Sequence, residues 1–237
     1  ITWGHLPEWL NTECPKLHIV NHRDYIPEEY LPTFSSHPIE LNLHRIPNLS
    51  EHFVYFCDDM LLNNAVTPDF FFRKGKPCDF LQCRHIHFAS ANDIYAHITT
   101  NDVMEINRHY SYIKTFLLHP WKIMSRNYGV SICLKNILKL GNVHRFVGFQ
   151  NHHLPTSYIK QTFLDVWSAM PERMDKVSGN RFRTPFDVSQ SVFRYWQLVS
   201  GQFYPVSPTS RGERLCISDR FDQVEAVLKD PTVKMVC

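Results

Sequence analysis

The chain has 237 residues, 43% of them hydrophobic and 14% aromatic, with 25 lysines and arginines against 23 acids for a formal charge of +2. That length and apolar content suit one folded α/β domain and exclude a disordered chain, while so small a net charge argues against a nucleic-acid groove. No apolar run reaches the length of a membrane span and no signal-like segment opens the sequence, so a soluble body is expected.

Leu17 to Val20 reads as a short strand, followed by a loop holding His22, Arg23 and Asp24. Pro38 suits a first helical position, and Ile39, Leu43 and Ile46 recur on one helical face until Pro47, with Glu40 and His44 one turn apart on another. Residues 53 to 60, Phe-Val-Tyr-Phe-Cys-Asp-Asp-Met, form an uninterrupted apolar run cut off by two carboxylates. Such a run predicts a strand buried on both faces of a parallel sheet, with Asp58 and Asp59 at its carboxyl end, where open α/β sheets place their ligands. Two acids there suggest a cation, and a cation suggests phosphate.

Residues 67 to 145 read as an insertion, made of a hairpin with a basic tip and two helices. Asn101 is the expected cap of the first, which carries Val103, Ile106, Tyr110, Ile113 and Leu117; the second runs from Val130 through Cys133 and Ile137 to Gly141. Both read as packing elements. Cys78, Cys83, His85 and His87 offer zinc-type donors, but their spacing is unlike the common paired-cysteine knuckles. Seven scattered cysteines, an odd number, are read as reduced thiols of a cytoplasmic protein.

His152 and His153 stand ahead of a predicted helix with Ile159, Phe163, Val166, Trp167 and Met170 on one face. A histidine at a helix amino end feels the positive dipole, which favours the neutral imidazole that a general base requires; packing or capping is the simpler role. Asp187 with Gln190 resembles a capping box for the helix carrying Val192, Tyr195, Trp196 and Val199, while Arg183 has no such local task and a guanidinium suited to phosphate oxygens. Leu215-Cys216-Ile217 repeats the pattern of a strand ending in an acid, Asp219, before a helix with Val224, Val227 and Leu228.

His22-Arg23-Asp24-Tyr25-Ile26-Pro27, Leu31 to Ser36, Ile39-Glu40, Leu43 to Glu51 and Phe53 to Asp59 together resemble the second signature block of the Stealth proteins. His153-Leu154-Pro155 through Arg183-Thr184-Pro185-Phe186-Asp187-Val188 resembles the third block, and Leu215 to Asp219 the fourth. The family's first block, a Tyr-Thr-Trp-Val-Asp-Gly type motif, is not found in these residues, and Ser35, Cys57 and Ser218 stand where many members carry asparagine.

The resemblance implies a single catalytic domain over residues 1–237 on a mostly parallel, Rossmann-like (glycosyltransferase-A-like) sheet flanked by helices. It implies bacterial capsular or exopolysaccharide synthesis, in which sugar 1-phosphate passes from a UDP-sugar such as UDP-N-acetylhexosamine to a glycan hydroxyl and UMP leaves. The expected roles are general base for His153, phosphoryl stabilisation for Arg183, and Mg²⁺ or Mn²⁺ ligation by Asp58, Asp59 and Asp219. His22, Asp24, Glu40, His44, Arg45 and Asp187 are the expected sugar or acceptor contacts. Work at the cytoplasmic face of a membrane, as a peripheral protein, completes the expectation; relatives from eukaryotes are Golgi-lumenal. A metal-dependent glycosyltransferase releasing UDP, and a carbohydrate-binding module using Trp121, Tyr158 and Trp196, are the alternatives.

Overall fold

The computed structural model describes residues 1–142, 144–215 and 221–237. In chain order the first part holds α1 (Ser36–Leu41), β1 (His52–Tyr55), β2 (Leu61–Leu62), α2 (Pro68–Phe71), β3 (Phe72–Arg73) and β4 (Lys76–Asp79). Four helices follow, α3 (Ile94–His109), α4 (Tyr112–Leu118), α5 (Pro120–Ile123) and α6 (Gly129–Asn142). The remainder is β5 (Thr156–Ile159), α7 (Lys160–Ala169), α8 (Pro171–Ser178), α9 (Ser191–Val199), β6 (Tyr204–Pro205), α10 (Phe221–Lys229) and β7 (Met235–Val236). Among the described residues no helix is long and apolar enough to cross a membrane.

The chain is mixed α/β, but the sheets are short and mostly antiparallel, which corrects the expected parallel sheet. Among the described strands β1 pairs antiparallel with β5, β2 with β7 and β3 with β4, while β4 and β6 run parallel. β1 is a four-residue strand whose side chains are exposed or half-buried, so it is not sandwiched between helical layers. Its apolar residues are covered by aromatic neighbours instead: the Phe53 ring lies 5.7 Å from Tyr158 and 5.6 Å from Phe163. The hairpin at β3 and β4 forms as expected, with Lys74 (φ 51°) and Gly75 (φ 67°) in the left-handed region that a tight turn between twisted strands needs. No strand forms over Leu17 to Val20, where only a bridge between Thr2 and Asn21 ties the chain.

Helices follow sequence periodicity until a polar side chain intervenes. The segment after Ser35 does not run unbroken to Pro47: α1 stops at Leu41 and a 3-10 turn covers Leu43–Arg45. Asn42 is the cause, since its buried amide donates to the Pro38 carbonyl (2.8 Å), the acceptor a continuing helix would use, and to Ser178 Oγ (3.1 Å). The cap of α3 is Asp93, which accepts from Ala96 N, and not Asn101, which lies inside the helix.

The core is built where α3, α7 and α9 meet β1 and β5, around Phe163, Phe193, Tyr158, Tyr195, Leu198 and Ile106. Phe163 and Phe193 stack at 3.7 Å. Val103 and Ile106 on α3 belong to this same cluster. Among the polar groups that tie down helices α4 to α6 are Lys122, which donates to Phe203 O (2.8 Å), and Asn136, which is 0% exposed. Its carbonyl accepts from Cys83 N (2.9 Å), and its amide donates to Leu81 O (2.9 Å) and Ile123 O (3.0 Å). Replacing Asn136 by Ala leaves a buried donor and two carbonyls without partners, and the expected loss is about 2–4 kcal/mol in urea-unfolding stability.

His44 is buried between the rings of Phe163 (6.0 Å) and Trp167 (5.6 Å). Burial, reinforced by the Arg45 charge, pushes its imidazole down to about 4. Because protonation is harder in the folded state than in the unfolded chain, stability is complete above about pH 6.5 and falls as pH drops from there toward about 4. His44→Phe therefore flattens the acid limb of stability against pH by an amount on the order of 2 kcal/mol between pH 7 and pH 4.5, read from urea midpoints.

Candidate active site

The antiparallel β1–β5 register builds the site. Tyr55 lies opposite Thr156, so the residues leaving β1 run alongside those entering β5. In that arrangement Asp59 comes beside His153. His153 Nδ1 stands 3.5 Å from Asp59 Oδ2, both side chains about half exposed. The same nitrogen is 2.8 Å from Cys237 Sγ, which arrives from β7 after it pairs with β2. Cys57 completes the group: among the described residues, Cys57, Asp59 and His153 are the one set of three whose donor atoms all lie within 4.8 Å of one another. Burial, with the nearby carboxylates, holds the Cys57 thiol up at about 11, so it is a neutral S–H at physiological pH.

His153 does not sit at a helix amino end. The strand β5 intervenes and α7 begins only at Lys160, so the dipole argument made from the sequence does not apply, the effect being confined to a helix's first turn. The ring nitrogen that faces Asp59 instead has Cys237 Sγ as its nearer partner, at 2.8 Å against 3.5 Å for the carboxylate.

Behind this group a polar chain runs inward. Cys57 Sγ donates to Tyr55 Oη (3.6 Å), and Tyr55 Oη donates to Glu40 Oε1 (2.8 Å) on α1. Glu40 is buried, and burial raises its carboxyl above the usual range. Arg183 reaches the same face of α1 one turn before Glu40, where its Nη2 donates to Ser36 Oγ (3.1 Å).

Asp187 is not a helix cap, since α9 starts at Ser191. It is 0% exposed and accepts from Asn180 Nδ2 (2.7 Å), Thr184 N (2.9 Å) and Thr184 Oγ1 (2.7 Å), with His37 Nδ1 at 3.1 Å. Burial alone would raise its carboxyl, but the hydrogen bonds from His37, Thr184 and Asn180 outweigh it and hold the group below the ordinary range. Asn101 donates to the Pro185 and Asp187 carbonyls, and Asp102 accepts from Ser189 N and Oγ. Phe34 N donates to Arg181 O at 2.8 Å. The loop carrying Arg183 is thus held from α1, α3 and the segment before α1.

The other sequence candidates lie elsewhere or serve locally. In the segment before α1, Asp24 Oδ2 accepts from Asn21 N (2.7 Å) and His22 packs 5.6 Å from Trp3. Arg45 stacks on Trp167 (4.8 Å) and donates to Asn42 Oδ1. His44 belongs to the core. Asp219 lies outside the described residues. Cys78, Cys83, His85 and His87 do not gather into a metal group among the described residues. Of the aromatics proposed to dock sugars, Tyr158 is 0% exposed and is core, Trp196 is half-buried, and only Trp121 is well exposed.

Sequence reasoning passed over Cys237, His37, Tyr55 and Asp102. Tyr55 sits in an apolar run and Asp102 inside a helix, where no local pattern singles out either. Burial pushes the Asp102 carboxyl up to about 8. Nothing local marked Cys237 or His37, whose partners lie 84 and 150 residues away in sequence.

Residues 1–79 match the family model for Stealth protein CR2, conserved region 2, which contains α1, β1, Asp58 and Asp59. The chain is 39% identical over 213 residues to an exopolysaccharide phosphotransferase of Lactiplantibacillus plantarum, covering 88% of this chain and 60% of that protein. It is 37% identical over 209 residues to a receptor polysaccharide phosphotransferase of Streptococcus gordonii, covering 87% and 61%. It is 35% identical over all 237 residues to a capsular polysaccharide phosphotransferase of Streptococcus pneumoniae, covering 69% of it. The chain spans about 60% of the length of several of these relatives. Identity at this level along the whole chain, joined to the match over the segment that holds the two acids, establishes that the chain belongs to the Stealth family.

Proposed function

We propose that this chain carries the acid–base half of a sugar-phosphate transferase of capsular or exopolysaccharide synthesis, acting on a UDP-sugar and a glycan hydroxyl. The observation that supports it best is the Asp59–His153 pair, 3.5 Å apart on an exposed surface and in a chain related to phosphotransferases. A carboxylate against one ring nitrogen orients an imidazole and stabilises the imidazolium that forms when the ring takes up a proton. His153 would accept the proton of the acceptor hydroxyl as its oxygen bonds to the phosphorus next to the sugar. The anhydride bond to the second phosphorus breaks, and UMP leaves. Arg183, on its braced loop, would neutralise charge on the phosphoryl oxygens, the main requirement of such a transfer.

The donor atoms present fit a divalent cation in part. Asp59 offers the hard carboxylate oxygen that Mg²⁺ or Mn²⁺ takes, Asp58 is not among the donors gathered there, and the thiol of Cys57 is a poor ligand while protonated. When bound, such a cation supplies charge neutralisation on the diphosphate. Two stacked and exposed rings, Phe34 and Phe182 at 5.3 Å, flank the Arg183 loop and would offer a platform for the acceptor sugar.

Incubation with UDP-sugars, a glycan acceptor and Mn²⁺ should release UMP; release of UDP would instead mark an ordinary glycosyltransferase. His153→Ala is expected to lower kcat by about 10²- to 10⁴-fold with donor binding retained. Near-native turnover in that variant would remove His153 from the role of base. Arg183→Lys keeps the charge but not the fork, and about a tenfold or greater loss in kcat/KM is expected if phosphate is its partner.

A further inference from the structure

The helices α4 to α6 carry two features that packing within the chain does not use. From Ile106 to Leu164 the sequence holds no aspartate or glutamate, although eight of the 25 lysines and arginines fall there. A chain that is nearly neutral overall therefore carries its acids elsewhere and leaves net positive charge around these helices. The second feature is the direction in which α6 faces. Asn136 anchors it inward through Leu81 and Ile123, and the residues on the opposite side, Val130, Leu134, Ile137 and Leu138, follow one another at i, i+4, i+7 and i+8. In an ordinary surface helix that outward stripe is polar. Here Val130 is 76% exposed and Leu138 68%.

The exposed apolar surface continues on α4 and α5, joined to α6 through the Tyr112 hydroxyl on Asn136 O and Asn136 on Ile123 O. Leu117, Leu118 and Trp121 are all more than half exposed there. Beside α6 lies an open cleft of about 500 Å³ whose lining includes Arg84, His85, His87, Lys135 and Lys139 and no acid.

We infer that the α4–α6 face docks onto an anionic lipid bilayer, the apolar stripe of α6 and the Leu117–Trp121 corner entering the interface while the Lys135–Lys139 cleft meets lipid phosphates. A leucine stripe with an exposed tryptophan suits the headgroup boundary, and lysines on its flank draw it to negative lipid. Charge complementarity sets the choice of occupant: a second copy of the chain would bring the same cations against one another. Docking is independent of the transfer chemistry, since none of these residues belongs to the Asp59–His153 group.

The test is co-sedimentation of the full chain with vesicles of phosphatidylcholine alone and of phosphatidylcholine mixed with phosphatidylglycerol. Binding to the mixed vesicles, weakened by added salt, is expected. Leu134→Glu with Leu138→Glu is expected to lower it at least tenfold, and Lys135→Ala with Lys139→Ala by about tenfold, with circular dichroism unchanged because all four side chains lie outside the core. UMP release on a soluble acceptor, measured in parallel, should be unaffected by either pair, so failure of docking and failure of the transferase reading give different results. Absence of vesicle binding, equal binding to both vesicle types, or concentration-dependent self-association abolished by the leucine pair without vesicle binding would each overturn the proposal.

Discussion

The antiparallel pairing of β1 with β5 is the constraint on which the rest depends. It is only four residues long, yet it joins two segments a hundred residues apart and sets a register in which the chain leaving β1 meets the chain entering β5. A one-residue slip would turn Phe53 and Tyr55 to the opposite face and carry the acids out of line with His153. The aromatic packing of Phe53, Tyr158 and Phe163 favours this register, since a slip would take the Phe53 ring away from the other two. The core thus fixes the site geometry at one remove: Phe163 and Phe193 hold β5, and β5 holds His153.

The buried polar residues do a related job for the other side of the site. Asp187, wrapped in hydrogen bonds from four groups, would be costly to bury without them, and its position is therefore determined by His37, Thr184 and Asn180 together. The consequence is a loop whose backbone is rigid and whose Arg183 and Phe182 side chains are exposed. Glu40 and Tyr55 connect this loop's support to the end of β1 through α1. Fully satisfied polar networks of this kind specify one arrangement where a purely apolar contact would tolerate several.

The opposite tendency governs α4 to α6. There buried polar groups such as Asn136 and Lys122, bonded to backbone carbonyls, supply the specificity, and an apolar stripe of α6 points to solvent. Periodicity reports that a helix has an apolar side; it does not report which way that side turns. The direction is decided by whichever residue has the stronger need of burial partners, and an asparagine with three backbone partners outweighs leucines that can be accommodated at an interface.

What the sequence determined by itself was the family, the mixed α/β class, the tight hairpin at Lys74-Gly75, and the chemical character of its acids and histidines. Each of these is local: a motif, a turn requiring positive φ, or a side chain's intrinsic chemistry. The direction of the sheets, the break at Asn42, the burial of His44 and Asp187, and the meeting of Asp59 with His153 and Cys237 were decided only by the tertiary structure. Those depend on contacts between residues tens to more than a hundred positions apart, and no local periodicity encodes such a pairing. A strand of Phe, Val and Tyr reads the same whether its partner runs with it or against it; the aromatic packing that chose the antiparallel partner exists only once the chain has folded.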